Sequence, residues 1–207
     1  MATRQKQTKK RQATKRTPLL AKNRFNLPTL IALVGALSIV GYFVLTTFAS
    51  MPDRYDCPKG ANIQDAGFGD VYGPLRRGPK ARIKLCRVHG MVVNRRIAAD
   101  LNRMVNTANL SGVKLTTTGF YPAYRTFDMQ QELRVRHNCP SFYQPPNQCK
   151  PITAVPGTSN HEMGEAIDFA NSSTRSTKVY RWLAANAYKF GFYNLPSESW
   201  HWSRNGR

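Results

Sequence analysis

The sequence predicts an α+β domain preceded by one membrane-spanning helix. Two observations predict it. One is an uncharged apolar run near the N-terminus. The other is a mixture of helix-period and strand-like segments after it, without a regular βαβ rhythm. Hydrophobic residues make up 41% of the chain and aromatics 11%, enough to build a packed core, so wholesale disorder is excluded. The length of 207 residues suits one ordinary domain with appendages.

The membrane segment comes first. Leu27 to Ala49 is 23 residues long and carries no charge. A helix rising about 1.5 Å per residue needs about 20 apolar residues to cross the hydrocarbon core. Pro28 falls in the first turn, where a missing N–H costs little. A cleavable signal peptide has a shorter apolar core, about 7–15 residues. The chain carries 31 Lys+Arg against 11 Asp+Glu, a formal charge of +20. Nine of the basic residues lie in residues 1–26, and no acidic residue precedes Asp53. The positive-inside rule therefore puts residues 1–26 in the cytoplasm as a basic tail. Residues 27–49 then anchor a single-pass protein in the cell membrane, with the C-terminal part extracytoplasmic. The tail lacks interleaved aromatics, so it reads as a topogenic segment touching anionic lipid, and no nucleic-acid partner is expected.

Residues 50–80 are rich in Gly, Pro and Asp and read as a loop-rich stalk or lead-in. The body of the domain is expected over 81–207. From Val92 to Leu110, Val93, Ile97, Leu101, Met104, Val105 and Ala108 recur at the helical period. Ser111-Gly112 ends that helix, and the β-branched stretch Lys114–Tyr121 is strand-like. A second helix is expected over Tyr124–His137. Residues 138–158 hold five prolines and two cysteines, a long irregular loop. Glu165–Ala170 predicts a short strand, Thr177–Phe190 a third helix stopped by Gly191, and Ser199–Ser203 a last strand.

Four cysteines in an exported domain suggest disulfides. Three pairings are possible, and the favoured one is Cys139–Cys149 with Cys57–Cys86. The first closes a short Pro-rich loop, and the second ties the lead-in to the body. Zinc ligation by cysteine is the rival, but no C-x-x-C spacing exists.

Two of the four histidines sit in dense polar contexts, His161 in PGTSNHEMGEAIDF and His201 in SESWHW. Asp168 lies among Ala166, Ile167 and Phe169, where an uncompensated carboxylate is expensive. A metal is one compensation and a salt bridge is another. Two His plus one Asp suit Zn²⁺ with a fourth position left for water, and Glu198 is placed to take that water's proton. His89 and His137 read as ordinary polar residues, and Trp200 as packing beneath the site.

SNHEMGEAIDF resembles the Ser-x-His-x-x-Gly-x-Ala-x-Asp signature of the VanY-like zinc D-alanyl-D-alanine carboxypeptidases, members of the LAS metallopeptidases. ESWH resembles their Glu-x-Trp-His signature. YRTFDMQ resembles their Tyr-Arg-Ser-x-x-x-Gln element, with Thr126 in place of Ser. The three elements stand in the family's order within roughly residues 90–203. The resemblance implies a small antiparallel sheet flanked by helices, with zinc on the sheet face. It implies His161, Asp168 and His201 as zinc ligands and Glu198 as catalytic base. Arg125 would contact substrate and stabilise the oxyanion or the terminal carboxylate. Ser159 would bind substrate near the metal, and Gln130 would support binding. The implied substrate is a peptidoglycan stem peptide ending in D-Ala-D-Ala. D,D-dipeptidases and peptidoglycan endopeptidases share these motifs. A non-catalytic wall-binding module is the alternative from another class, but it is expected to lack Glu198 or a ligand, and all are present. Beyond the tail the chain carries +11, which suits anionic cell-wall polymers as a further partner.

Overall fold

A computed structural model describes residues 56–207. The basic tail and the expected membrane helix at 27–49 lie outside the described residues. Among the described residues no helix is long and apolar enough to cross a membrane.

Among the described residues, two three-stranded antiparallel sheets and three α-helices make up the fold. The first sheet is a meander of β1 (Ile63–Tyr72), β2 (Pro79–Val88) and β3 (Met91–Asn94). Helix α1 (Arg95–Leu110) follows directly, then α2 (Phe127–Arg136). The second sheet has the order β4 (Ala166–Asp168), β6 (Glu198–Ser203), β5 (Tyr193–Leu195). Helix α3 (Lys178–Asn186) runs into a 3-10 turn, Ala187–Phe190.

The α+β class holds, but there are two small sheets where one was expected. The difference lies in β1 and the start of β2, which occupy the stretch read as a loop-rich lead-in. Its glycines are strand devices. Gly67, at φ 79°, sits in a register shift between Asp65 and Phe68. Gly69 leaves room for the Tyr124 hydroxyl, which stands where a Cβ would be. Conversely, Lys114–Tyr121 contributes only an isolated bridge, Thr117 to Phe169. Positive φ at Gly119 and Tyr121 breaks the pleat there.

Helix α1 starts at Arg95 because Asn94 caps it, its Oδ1 accepting from Arg96 N at 3.0 Å. The expected stripe is buried: Ile97, Leu101, Met104, Val105 and Ala108, joined by Ala98. It packs with Val88, Val93, Ile167, Leu183 and Phe192 into one core shared by both sheets. Full burial of such a side chain is worth about 1.5–3 kcal/mol.

Both favoured disulfides form, Cys57–Cys86 and Cys139–Cys149. The second closes the irregular loop after α2. Arg134, fully buried on α2, fixes that loop from inside by donating to the carbonyls of Thr153 at 2.6 Å, Ser141 at 2.7 Å and Gln144 at 2.8 Å.

Candidate metal centre

The β4–β6 ladder builds most of the site. Antiparallel pairing sets Asp168 directly opposite His201, so both side chains leave the same face. Glu198 and His201 are three apart, and strict strand alternation would send them to opposite faces. A register shift reconciles them: Leu195 pairs with Glu198, while Asn194 already pairs with Trp202. Asn194 clamps the irregularity. Its Nδ2 donates to the carbonyls of Glu198 at 2.9 Å and His201 at 3.0 Å.

His161 arrives on the turn before β4. Gly164 closes that turn at φ 64°, and a Cβ there would lie 2.7 Å from Asn94 N. Asn94 also donates from Nδ2 to the Met163 carbonyl at 3.0 Å, so the motif turn is pinned to the N-terminus of α1. The Glu162 carboxylate accepts from the backbone N–H of Gly157 at 2.8 Å and Ser159 at 3.2 Å. Burial pushes the Glu162 carboxyl up to about 7 against those donors. Ser159 Oγ accepts from His161 N at 3.3 Å, and Ser159 lines a cavity together with His161, Asp168 and His201.

Three donor atoms converge at the centre. His161 Nε2 lies 3.1 Å from His201 Nδ1, and Asp168 Oδ1 lies 3.2 Å and 3.0 Å from them. All three residues are buried. The tautomers follow from the outer neighbours. His161 Nδ1 stands 2.8 Å from the Ala123 carbonyl, and His201 Nε2 stands 2.8 Å from the Arg207 backbone oxygen. Those oxygens can only accept, so each histidine donates outward and turns a lone pair inward. Two imidazole lone pairs and a carboxylate oxygen thus face one another at contact distance. Only a cation between them, a proton or a metal ion, makes that arrangement favourable. The donor set is one zinc takes readily, and tetrahedral bonds of about 2.0–2.1 Å imply donor separations of about 3.3 Å. The residues fit the metal, and the carbonyl behind His161 is the usual orienting partner.

Arg125 supplies the other half of Asp168's compensation, Nη2 donating to Oδ2 at 2.7 Å. Its Nε donates to the Tyr121 carbonyl at 2.7 Å and its Nη1 to Gln130 Oε1 at 3.3 Å. Two of its five N–H groups remain, and Arg125 lines the cavity. Gln130 is fully buried, with its Nε2 donating to the Ala154 carbonyl at 2.9 Å, so the structure places it behind Arg125 as a support. Thr126, which stands where the family has Ser, caps α2 by accepting from Met129 N at 3.2 Å.

Burial pushes the Asp168 carboxyl up, but the two histidines and Arg125 outweigh it and hold it well below the usual carboxylate range. Burial lowers His161, which keeps it neutral. Burial also works against a charged His201, yet its hydrogen bond to Asp168 and that carboxylate's charge raise it overall. Burial and the charge of Asp168 raise Glu198, against the pull of His201 and Arg125. Glu198, Trp200 and the three donor residues line one cavity of about 410 Å³. Trp200 walls this cavity and a neighbouring one, so it is more than packing beneath the site. His89 bonds Asn102 at 2.9 Å in the β2–β3 turn, an ordinary structural role.

The family model for VanY, D-alanyl-D-alanine carboxypeptidase, matches residues 90–206. The chain belongs to the VanY-like LAS metallopeptidase family. Similar to it is a D-alanyl-D-alanine carboxypeptidase of Enterococcus faecalis, 31% identical over 134 residues, covering 55% of this chain and 48% of that protein. The chain thus spans about half the length of the curated relative it matches. Among solved structures, VanYB in complex with D-alanine-D-alanine is 28% identical, with TM-score 0.47, covering 61% of this chain and 80% of that one. A VanY D,D-pentapeptidase variant in complex with Zn(II) is 25% identical, with TM-score 0.43, covering 74% and 81%. The three elements that carried the resemblance lie inside the family match, and the fold brings all of them to one cavity.

Proposed function

We propose that this chain is a membrane-anchored, zinc-dependent D-alanyl-D-alanine carboxypeptidase acting on peptidoglycan stem peptides outside the cell. The convergence of His161 Nε2, Asp168 Oδ1 and His201 Nδ1, with both histidine tautomers set from behind, carries the reading. Zinc held there supplies Lewis-acid polarisation and water activation.

The protein's own groups do the rest. Glu198 has a raised proton affinity and shares the cavity, which suits it to take a proton from the attacking water and pass it to the leaving amine. The free N–H groups of Arg125 face charge that develops on the substrate or rests on its terminal carboxylate. The Arg125–Asp168 pair also orients the carboxylate, so that Oδ1 is left to the histidines. Ser159 offers a hydroxyl at the cavity wall. The Leu27–Ala49 segment anchors the domain, the basic tail stays in the cytoplasm, and the basic surface attracts anionic wall polymers. The test is Glu198→Ala in the zinc-loaded full chain. Lost hydrolysis of a D-Ala-D-Ala peptide with zinc retained supports the base assignment, and undiminished hydrolysis sinks it.

A further inference from the structure

One polar group in the cleft has no role so far. His137 follows α2 and lines both the cavity of the metal trio and a second cavity of about 240 Å³, which Thr118, Phe120 and Trp200 also bound. The two cavities share Arg125, Asp168 and Trp200 as well, so His137 stands on their common wall. The neighbouring wall is apolar: Leu133, Pro151 and Ile152.

The neighbours of His137 fix its tautomer. Thr153 Oγ1 lies 2.6 Å from His137 Nδ1 and 2.9 Å from the Pro151 carbonyl oxygen. A hydroxyl has one proton, and a carbonyl can only accept. The Thr153 proton therefore goes to Pro151, and His137 donates from Nδ1. Its Nε2 is left with a lone pair and makes no hydrogen bond within the described residues. Every buried side-chain N and O among those residues has a partner, so Nε2 is not buried, and the ring that carries it lines both cavities.

The ring is held rigidly. Arg134 bonds the Thr153 carbonyl at 2.6 Å, Lys150 N donates to the His137 carbonyl at 3.0 Å, and Cys139–Cys149 closes the loop between them. Burial and the nearby Arg125 charge hold His137 below its ordinary value, which keeps the ring neutral and Nε2 an acceptor. The same Arg125 charge disfavours an ammonium partner here, so the matching donor is a neutral one, which a peptide N–H supplies.

We propose that His137 is a substrate-recognition residue whose Nε2 accepts a backbone N–H of the peptide in the cleft, setting how that peptide lies against the metal trio. The inference rests on the peptidase reading above.

The test uses the full chain carrying Glu198→Ala, zinc-loaded and ¹⁵N-labelled at histidine. The ligands are a pentapeptide ending in D-Ala-D-Ala and depsipeptides in which each amide N–H in turn is replaced by ester oxygen. The free protein is expected to show Nδ1 protonated and Nε2 bare, with the Nε2 resonance shifting at saturating peptide. His137→Phe is expected to weaken Kd roughly tenfold, the loss of one hydrogen bond. His137→Gln, which keeps an acceptor near the Nε2 position, is expected to stay within about threefold. One depsipeptide should bind roughly tenfold more weakly and no longer distinguish the native ring from His137→Phe. An unmoved Nε2 resonance with peptide bound overturns the inference while the peptidase reading stands. Equal affinity of a folded His137→Phe variant does the same. Failure of any peptide to bind removes both. The resonance and the depsipeptides probe the unsubstituted ring, so a misfolded variant does not rescue the idea.

Discussion

Asp168 faces His201 across the β4–β6 ladder, with Oδ1 3.0 Å from Nδ1, while its Oδ2 takes a hydrogen bond from Arg125 at 2.7 Å. One carboxylate thus meets both demands that its apolar surroundings impose. A salt bridge compensates one oxygen, and the other completes a three-atom cation site. Asp168→Asn leaves Arg125 buried without its counter-charge. Breaking such a pair costs about 3–5 kcal/mol. Denaturant unfolding of the metal-free variant is expected to show a loss of that size, and calorimetry a loss of zinc affinity.

Asn194 holds the backbone where Glu198 and His201 are brought to one side. Asn194→Ala removes both of these hydrogen bonds and the one that Oδ1 accepts from the Tyr180 hydroxyl at 3.4 Å, each worth about 0.5–1.5 kcal/mol. The expected result is a fall in hydrolysis of roughly tenfold or more, because the base loses its fixed position, with zinc stoichiometry near one. Unchanged hydrolysis would show that the strand irregularity needs no clamp.

The folded-state pKa of His137 is depressed by burial and by Arg125. The sign of its linkage follows. At low pH the unfolded chain binds a proton at this position before the native chain does. Its contribution to stability is therefore present above the ordinary value of about 6.5 and is lost as pH falls through the folded pKa. An NMR titration should place the His137 midpoint below 6.5, and His137→Gln should show a smaller loss of stability on acidification over that window.

Leu101 is fully buried in the core that both sheets share. Leu101→Ala is expected to destabilise by about 2–5 kcal/mol. A chemical-denaturation midpoint shift without a change in slope reads this directly.

Much of the site was legible because its motifs are local. The Gly164 turn, the Ala166–Asp168 strand and the ESWH strand each place one or two side chains by short-range rules, and α1 follows from its apolar period. What escaped depends on pairing between distant segments. The β1–β2 hairpin was hidden because its glycines serve a bulge and a close approach by Tyr124, yet in sequence they look like loop. Asn194 and Thr153 act through backbone carbonyls and a single hydroxyl, and neither leaves a periodic or compositional signal. Glu162 stood inside the quoted motif, but only the folded turn shows its carboxylate gathering the backbone N–H groups around Ser159. The strand-like Lys114–Tyr121 misled because β-branched residues report pleated-surface preference, while Gly119 and Tyr121 at positive φ decide the path.

The central claim is that the converging lone pairs of His161, Asp168 and His201 hold zinc for hydrolysis of a D-Ala-D-Ala terminus. The most direct measurement incubates the zinc-loaded full chain with a pentapeptide ending in D-Ala-D-Ala and weighs the products, with and without chelator. The account predicts release of a single D-Ala, abolished by chelator and restored by added zinc. Release of the dipeptide would keep the metal chemistry and move the scissile bond. An intact peptide after incubation with folded, zinc-loaded protein, or cleavage indifferent to chelator, would contradict it.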